Sequence, residues 1–354
     1  MKKCLRDPRF PWVAKSPSLF TNASAFATMH LMRKKSVLIT GIAGFIGYHA
    51  ALALQDLGDH VVGIDSFSDY YDIRLKMRRK ARLEARGISL FSGDICDTPL
   101  LKTCLKKHQI THVLHLAAQA GVRASFTHPD PYVHTNLAGF VSLLEALKER
   151  PQIPLVYASS SSVYGCNESL PFREEDRVER PNNLYAASKR CAEVLARSYH
   201  ELYDLNVCGL RYFTVYGPFG RPDMAYYTFA QNLLKGEPLL LRGQGKMQRD
   251  FTYIDDIVAG TLAALDRSQG YSIYNLASHH PKSVSYLVEL LEEGFGKRGK
   301  KQLLPMPKGE LPTTYGSIEN AQKDLGYTPQ ISLEAGIIEF VRWASDAHEE
   351  GIFL

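Results

Sequence analysis

The chain has 354 residues, 45% of them hydrophobic and 22% charged, with a formal net charge of +5. That length supports a sizeable core, in one large α/β domain or in two that share a cleft. The charge does not argue for nucleic acid: the first 35 residues hold eight Lys and Arg against Asp7 alone, which leaves the remainder at −2 and without a basic body for a phosphate backbone. No run reaches the roughly 18–20 apolar residues of a membrane span, so no membrane partner is expected.

The chain opens with a basic, proline-punctuated leader over 1–33. It reads as a disordered extension or an upstream start codon, with Met29 or Met32 as the true start, rather than as a targeting peptide with its weak apolar run. Strands are then predicted over 36–40, 60–64, 88–90, 111–116, 155–158 and 207–211. Helical patterns lie between them, over 50–57, 74–86, 98–107, 131–149 and 185–203. Alternation of this kind implies βαβ units and a doubly wound parallel sheet of Rossmann type, and apolar strands such as VLHL fit a sheet covered on both faces. After residue 217, Pro218, Pro222, Pro238, Pro281, Pro305, Pro307, Pro312 and Pro329 break the rhythm. The expectation is a nucleotide-binding domain over 34–216 and a smaller mixed α/β, mainly substrate-binding domain over 217–354. The six cysteines form no C-x-x-C pair and no Cys/His cluster at zinc spacing, so no metal is expected. Cys96, Cys191 and Cys208 read as small buried hydrophobes, and reduced thiols point to the cytoplasm.

Between the first strand and its helix stands Gly41-Ile-Ala-Gly44-Phe-Ile-Gly47. Glycines at this spacing permit a tight turn, close approach of backbone to a pyrophosphate, and close helix–strand packing. The helix N-terminus then offers free N–H groups to the phosphates. Asp65 ends the second strand, where a carboxylate accepts from an adenosine ribose 2′-hydroxyl and repels a 2′-phosphate, so NAD is favoured over NADP. Asp94 ends the third strand within reach of an adenine edge. Ala117 and Ala118 end the fourth with side chains small enough for a dinucleotide to lie close.

Tyr185 and Lys189 sit one helical turn apart on one face. A phenol near pKa 10 is a poor base at neutral pH; an adjacent ammonium and an oxidised nicotinamide ring favour the phenolate. Ser159–Ser162 at the end of the fifth strand supply hydroxyls to share the substrate proton.

The order G-x-x-G-x-x-G, SSSSVYG, Y-x-x-x-K resembles the extended short-chain dehydrogenase/reductase family of nucleotide-sugar epimerases and dehydratases, over roughly 34–330. The resemblance implies NAD as cofactor, Tyr185 as general base, Lys189 as its partner and Ser160 at the second hydroxyl position. It also implies cofactor contacts from Phe45, Ile46, Ile95 and Tyr212 besides those named above, UDP contacts from Arg221 and Arg249, and a homodimer formed through the tyrosine helix. DSFSDYYD (65–72), AAQAGVR (117–123), SSSSVYG (159–165) and FTVYGPFGRPDMAY (213–226) are most similar to the branch that epimerises UDP-glucuronate at C4 to UDP-galacturonate. Thr214 stands where UDP-glucose epimerases carry asparagine, and Ser162 where UDP-glucuronate decarboxylases carry glutamate. Uncharged donors at Ser161, Ser162 and Thr214 suit a carboxylate. Left open are the UDP-glucose/UDP-galactose pair, the decarboxylase reaction, and a non-catalytic NAD(H) sensor. The family's pattern is broken at Gly309-Glu310-Leu311 and Gly316-Ser317, and Arg123 either touches substrate or solvates a loop.

Overall fold

The computed structural model describes residues 34–306, 310–351 and 353. The leader over 1–33, with the expectations placed on it, and Gly309 lie outside the described residues. From residue 35 the chain alternates strand and helix as its apolar periodicity predicts: β1 (Ser36–Thr40), α1 (Phe45–Asp56), β2 (His60–Asp65), α2 (Ile73–Ala85), β3 (Ser89–Ser92), α3 (Thr98–Lys107) and β4 (His112–His115). Side-chain caps set two of these starts, since Asp72 accepts from the Arg74 N–H and Asp97 from the Leu100 N–H, each stabilising its helix by about 1 kcal/mol.

The helix predicted over 131–149 has two geometries. Tyr132–Gly139 is wound as a wide π turn and continues as α4 (Phe140–Leu147). Wide turns of this kind collect at functional sites. Here the segment carries the buried Asn136, which accepts from the Gln119 N–H at 2.8 Å and donates to the Gln119 carbonyl at 3.0 Å and the Ser188 hydroxyl at 2.9 Å. Next come β5 (Leu155–Ser160), α5 (Leu184–Tyr203) and β6 (Val207–Tyr212).

The chain then passes through β7 (Thr214–Tyr216), α6 (Ala225–Lys235), β8 (Leu239–Leu241), β9 (Gln248–Arg249), β10 (Phe251–Tyr253) and α7 (Ile254–Arg267) before β11 (Tyr271–Leu276). β12 (Lys282–Ser283), α8 (Val284–Phe295), β13 (Lys301–Leu303), β14 (Thr313–Thr314) and α9 (Leu333–Glu349) complete it. The large sheet has seven parallel strands in the order β11-β6-β5-β4-β1-β2-β3. The rhythm changes at 217 as expected from the prolines, yet the chain returns to this sheet with β11 and lays α7 against α1. Residues 35–354 form one compact unit.

The core lies between the sheet and α3, α4 and α5, where Leu38, Val113, Leu155 and Val207 meet Leu101, Phe140, Leu143, Leu144 and Ala196. Each large apolar side chain buried there contributes roughly 1.5–3 kcal/mol. Among the described residues no helix is long and apolar enough to cross a membrane. Cys208 is buried as expected and Cys96 half-buried, whereas Cys191 is exposed. It lies on the helical face of α5 turned away from the core residues Ala192 and Ala196, so the apolar sequence around it misleads.

Candidate active site

In an open parallel sheet ligands bind outside the carboxyl ends of the strands, at the point where the winding reverses. That point lies between β1 and β4, and a cleft runs from there along the ends of β5 and β6. Its floor is the glycine turn. Gly41 has φ +72°, and a Cβ on it would stand 2.7 Å from the Ala117 backbone nitrogen; one on Gly47 would stand 2.3 Å from the Gly41 carbonyl oxygen. Neither position accepts a side chain. Gly44 precedes α1 with no side-chain cap, so the first N–H groups of α1 face whatever anion the cleft takes.

Asp65 is buried, and its two carboxylate oxygens accept from the Ala43 and Phe67 N–H groups, each at 2.9 Å. It therefore shapes the glycine turn as well as lining the cleft, and its remaining lone pairs can still accept from a hydroxyl. Asp94 lines the same end. Its oxygens accept from the Cys96 N–H at 2.8 Å and bond the His134 ring at 2.8 Å. The Cys96 sulfur lies 3.8 Å from the other nitrogen of that ring, a Cys/His approach that sequence spacing cannot reveal because the two are 38 positions apart.

Farther along, α5 presents Tyr185 and Lys189. The Lys189 ammonium donates to the Ala158 carbonyl at 2.7 Å, and burial pushes its pKa down to about 8. Burial also raises the Tyr185 phenol, against the downward pull of its hydrogen bond with Ser160 and of the Arg221 charge, while Asp223 adds to the rise. Burial is the largest of these influences, so the phenol stands above its ordinary value. The serine run divides by strand alternation. Ser160 turns to Tyr185, while the Ser159 hydroxyl donates to Glu193 at 2.7 Å. Glu193 is held in turn by the buried Arg211 at 2.8 and 3.0 Å.

The cleft gathers Gly41, Gly44, Phe45, Ile46, Gly47, Asp65, Asp94, Ile95, Ala117, Ala118, Ser160, Tyr185, Lys189, Tyr212 and Arg221. Ser161, Ser162, Thr214 and Arg249 are not among its lining residues. Ser161 and Ser162 open a half-buried 3-10 turn next to Ser160, and Thr214 is half-buried between the lining residues Phe213 and Val215. Arg249 is engaged elsewhere: it bonds Glu310 at 3.2 Å and the carbonyls of Leu311 and Pro312. Glu310, where the family pattern breaks, is thus the counter-charge of Arg249. The Arg123 side chain is mostly exposed and lies 3.9 Å from Glu310.

Residues missed by sequence reasoning also reach the cleft. Lys76 lines it and donates to the Ser68 carbonyl and hydroxyl at 2.8 Å. Tyr70 lines it and donates to Asp223 at 3.2 Å. The DSFSDYYD string flags this segment but gives no role to Tyr70, since its partner lies 153 positions away.

The sequence that builds this cleft, with a glycine turn at one end and a tyrosine–lysine helix at the other, matches a family model. The NAD dependent epimerase/dehydratase model covers residues 37–277. The chain belongs to that family. Among its relatives, UDP-glucuronate 4-epimerase 4 of Arabidopsis thaliana is 48% identical over 87% of this chain and 75% of its own length. A UDP-glucuronate 4-epimerase of Thermodesulfobacterium geofontis is 41% identical over 87% of this chain and 96% of its own. Among solved structures, the UDP-glucuronic acid 4-epimerase of Bacillus cereus in complex with UDP-glucuronic acid and NAD superposes with a TM-score of 0.81. It is 36% identical, over 87% of this chain and 98% of that one. In this epimerase/dehydratase setting the fold is the Rossmann-type α/β fold read from the strand–helix alternation.

Proposed function

We propose that the protein is an NAD-dependent UDP-glucuronate 4-epimerase, an isomerase that interconverts UDP-glucuronate and UDP-galacturonate through a transient 4-keto sugar. The observation that carries this reading is the convergence of Ser160, Tyr185, Lys189 and Arg221 at one end of a cleft whose other end is the glycine turn with Asp65. The likeness to uronate epimerases over 87% of the chain narrows the sugar.

NAD, when bound, supplies the reversible oxidant for C4. The glycine turn, Asp65, Asp94, Ile95, Ala117, Ala118 and Tyr212 would hold it, with Lys189 as the partner of its nicotinamide ribose. Tyr185 takes the 4-hydroxyl proton and Ser160 shares it, so that the same phenol can return it to the other epimer. Oxidation at C4 places a ketone β to the C5 carboxylate, and such acids lose CO2 readily. Ser161, Ser162 and Thr214 donate to the carboxylate without bringing a charge, and hold the C–C bond out of line with the carbonyl. Arg221 and Arg249 face the UDP moiety, Arg249 after exchanging part of its bonding to Glu310.

The enzyme is read as a cytoplasmic homodimer. Support for pairing through α5 comes from Val194, Leu202 and Tyr203, apolar side chains that α5 leaves exposed. The test of the function is product analysis after incubation with UDP-glucuronate and, separately, UDP-glucose. UDP-galacturonate is expected from the first; turnover of UDP-glucose alone would overturn the uronate assignment.

A further inference from the structure

We propose that Arg79 is a positioning residue that fixes Arg221 from behind the glycine turn, tying the cofactor end of the cleft to its substrate end. The Arg79 guanidinium is wholly buried. One of its terminal nitrogens donates to the Ala43 carbonyl at 2.8 Å and the Tyr71 hydroxyl at 2.7 Å. The other donates to the carbonyls of Phe219 at 2.6 Å and Gly220 at 3.1 Å. Ala43 lies inside the glycine turn, and Gly220 immediately precedes Arg221. One planar fork therefore joins two segments that are far apart in the chain, a span a single lysine ammonium cannot reproduce.

The neighbours of Arg79 hold the same short segment. The His49 ring bonds the Pro218 carbonyl at 2.9 Å, and the Arg82 guanidinium lies 5.1 Å over the Phe219 ring. Phe219 has φ +55°, a left-handed conformation that costs a non-glycine residue about 1 kcal/mol, so outside contacts must hold its carbonyl where it points. A Cβ on Gly220 would lie 1.6 Å from the Tyr226 hydroxyl. Residues 218–220 are thus locked to α1 and α2, and Arg221 leaves them in a fixed direction. Its guanidinium grips Asp223, with Nε at 3.1 Å. Tyr70, beside Tyr71, donates to the same carboxylate. Adjacent tyrosines of the DSFSDYYD segment therefore serve one device: Tyr71 holds Arg79, and Tyr70 holds the partner of Arg221.

Burying a cation is costly where its acceptors are neutral, and the hydrogen bonds of Arg79 go to three carbonyls and a phenol. Simple packing would be met by an apolar side chain, whereas fixing two backbone segments against each other needs the fork.

The inference rests on the reading of Arg221 as a UDP contact, so UDP itself is the probe. Calorimetric Kd values for UDP are compared for wild type, R79K, R221A and the double variant, each as isolated, with thermal midpoints recorded alongside. R221A is expected to weaken UDP about tenfold or more, and R79K about fivefold on its own. In the R221A background, R79K should add less than about twofold, because its effect passes through Arg221. Independent, multiplying effects would overturn the proposal, since a merely structural role gives that result. If R79K does not fold, Tyr71→Phe in both backgrounds makes the same comparison with a smaller effect. Failure of wild type to bind UDP would instead sink the functional reading.

Discussion

The two ends of the cleft are built on different logic. At the cofactor end, consecutive residues do the work: Gly41 to Gly47 make one turn against Ala117, and Asp65 closes it through the Ala43 N–H. At the sugar end the parts come from distant stretches. Tyr185 and Lys189 ride on α5 and Ser160 ends β5, while Arg221 follows a loop pinned by α1 and α2. A local motif carries its geometry in its own spacing, whereas an assembled one depends on packing that no short string encodes.

This contrast is sharpest under substitution. Tyr185→Phe should lower kcat by about a hundredfold to ten-thousandfold, the range for losing a positioned acid–base group, with bound NAD per chain unchanged. Survival of turnover would show that the base lies elsewhere. Gly47→Ala should act in the opposite sense. Its Cβ falls 2.3 Å from a backbone oxygen, so the turn must shift at a cost of about 1–3 kcal/mol, read as a lower thermal midpoint and loss of bound NAD. A variant that kept its cofactor and its midpoint would break the claim that this turn admits no side chain.

Lys189 tests the buried end by pH. Its pKa is lowered to about 8 from an ordinary 10.5, so the folded protein carries the cost of a buried ammonium below pH 8. That cost fades as pH rises from 8 towards 10.5, where the unfolded chain alone still binds the proton. Wild type should therefore gain on Lys189→Met, which lacks the titration, by up to about 3 kcal/mol across that window. Denaturant unfolding of both proteins at pH 7.5 and 10.5 measures it, and a pH-independent gap would contradict the assigned shift. The smallest effect belongs to the carboxylate hydroxyls. Ser162→Ala with Thr214→Val should retain epimerisation but raise the small share of product lost as CO2, by up to about thirtyfold, each of the two lost donors being worth about 1 kcal/mol. Labelled CO2 released at the wild-type level would remove these residues from carboxylate control.

The parallel sheet and the glycine turn were legible because period and spacing are local signals. Tyr185 with Lys189 was legible for the same reason. Two features of the site were not legible because the deciding physics is non-local. The Tyr185 phenol rises because burial outweighs a charge, and burial cannot be seen in a Y-x-x-x-K string. Ser159 lines the cleft, yet its hydroxyl is engaged by Glu193, 34 positions away. Arg249 was legible as a cation but not as one already matched by Glu310, 61 positions away. The return of the chain to the large sheet at β11 was hidden by the prolines that precede it.

The uronate epimerisation is tested most directly by an anomeric-proton NMR time course with UDP-glucuronate and the protein as isolated, without added NAD. A new UDP-galacturonate signal is expected to grow to a fixed equilibrium ratio, with CO2 at most a minor by-product. Appearance of a UDP-pentose as the main product with release of CO2, or no change in the UDP-glucuronate signal, would contradict it.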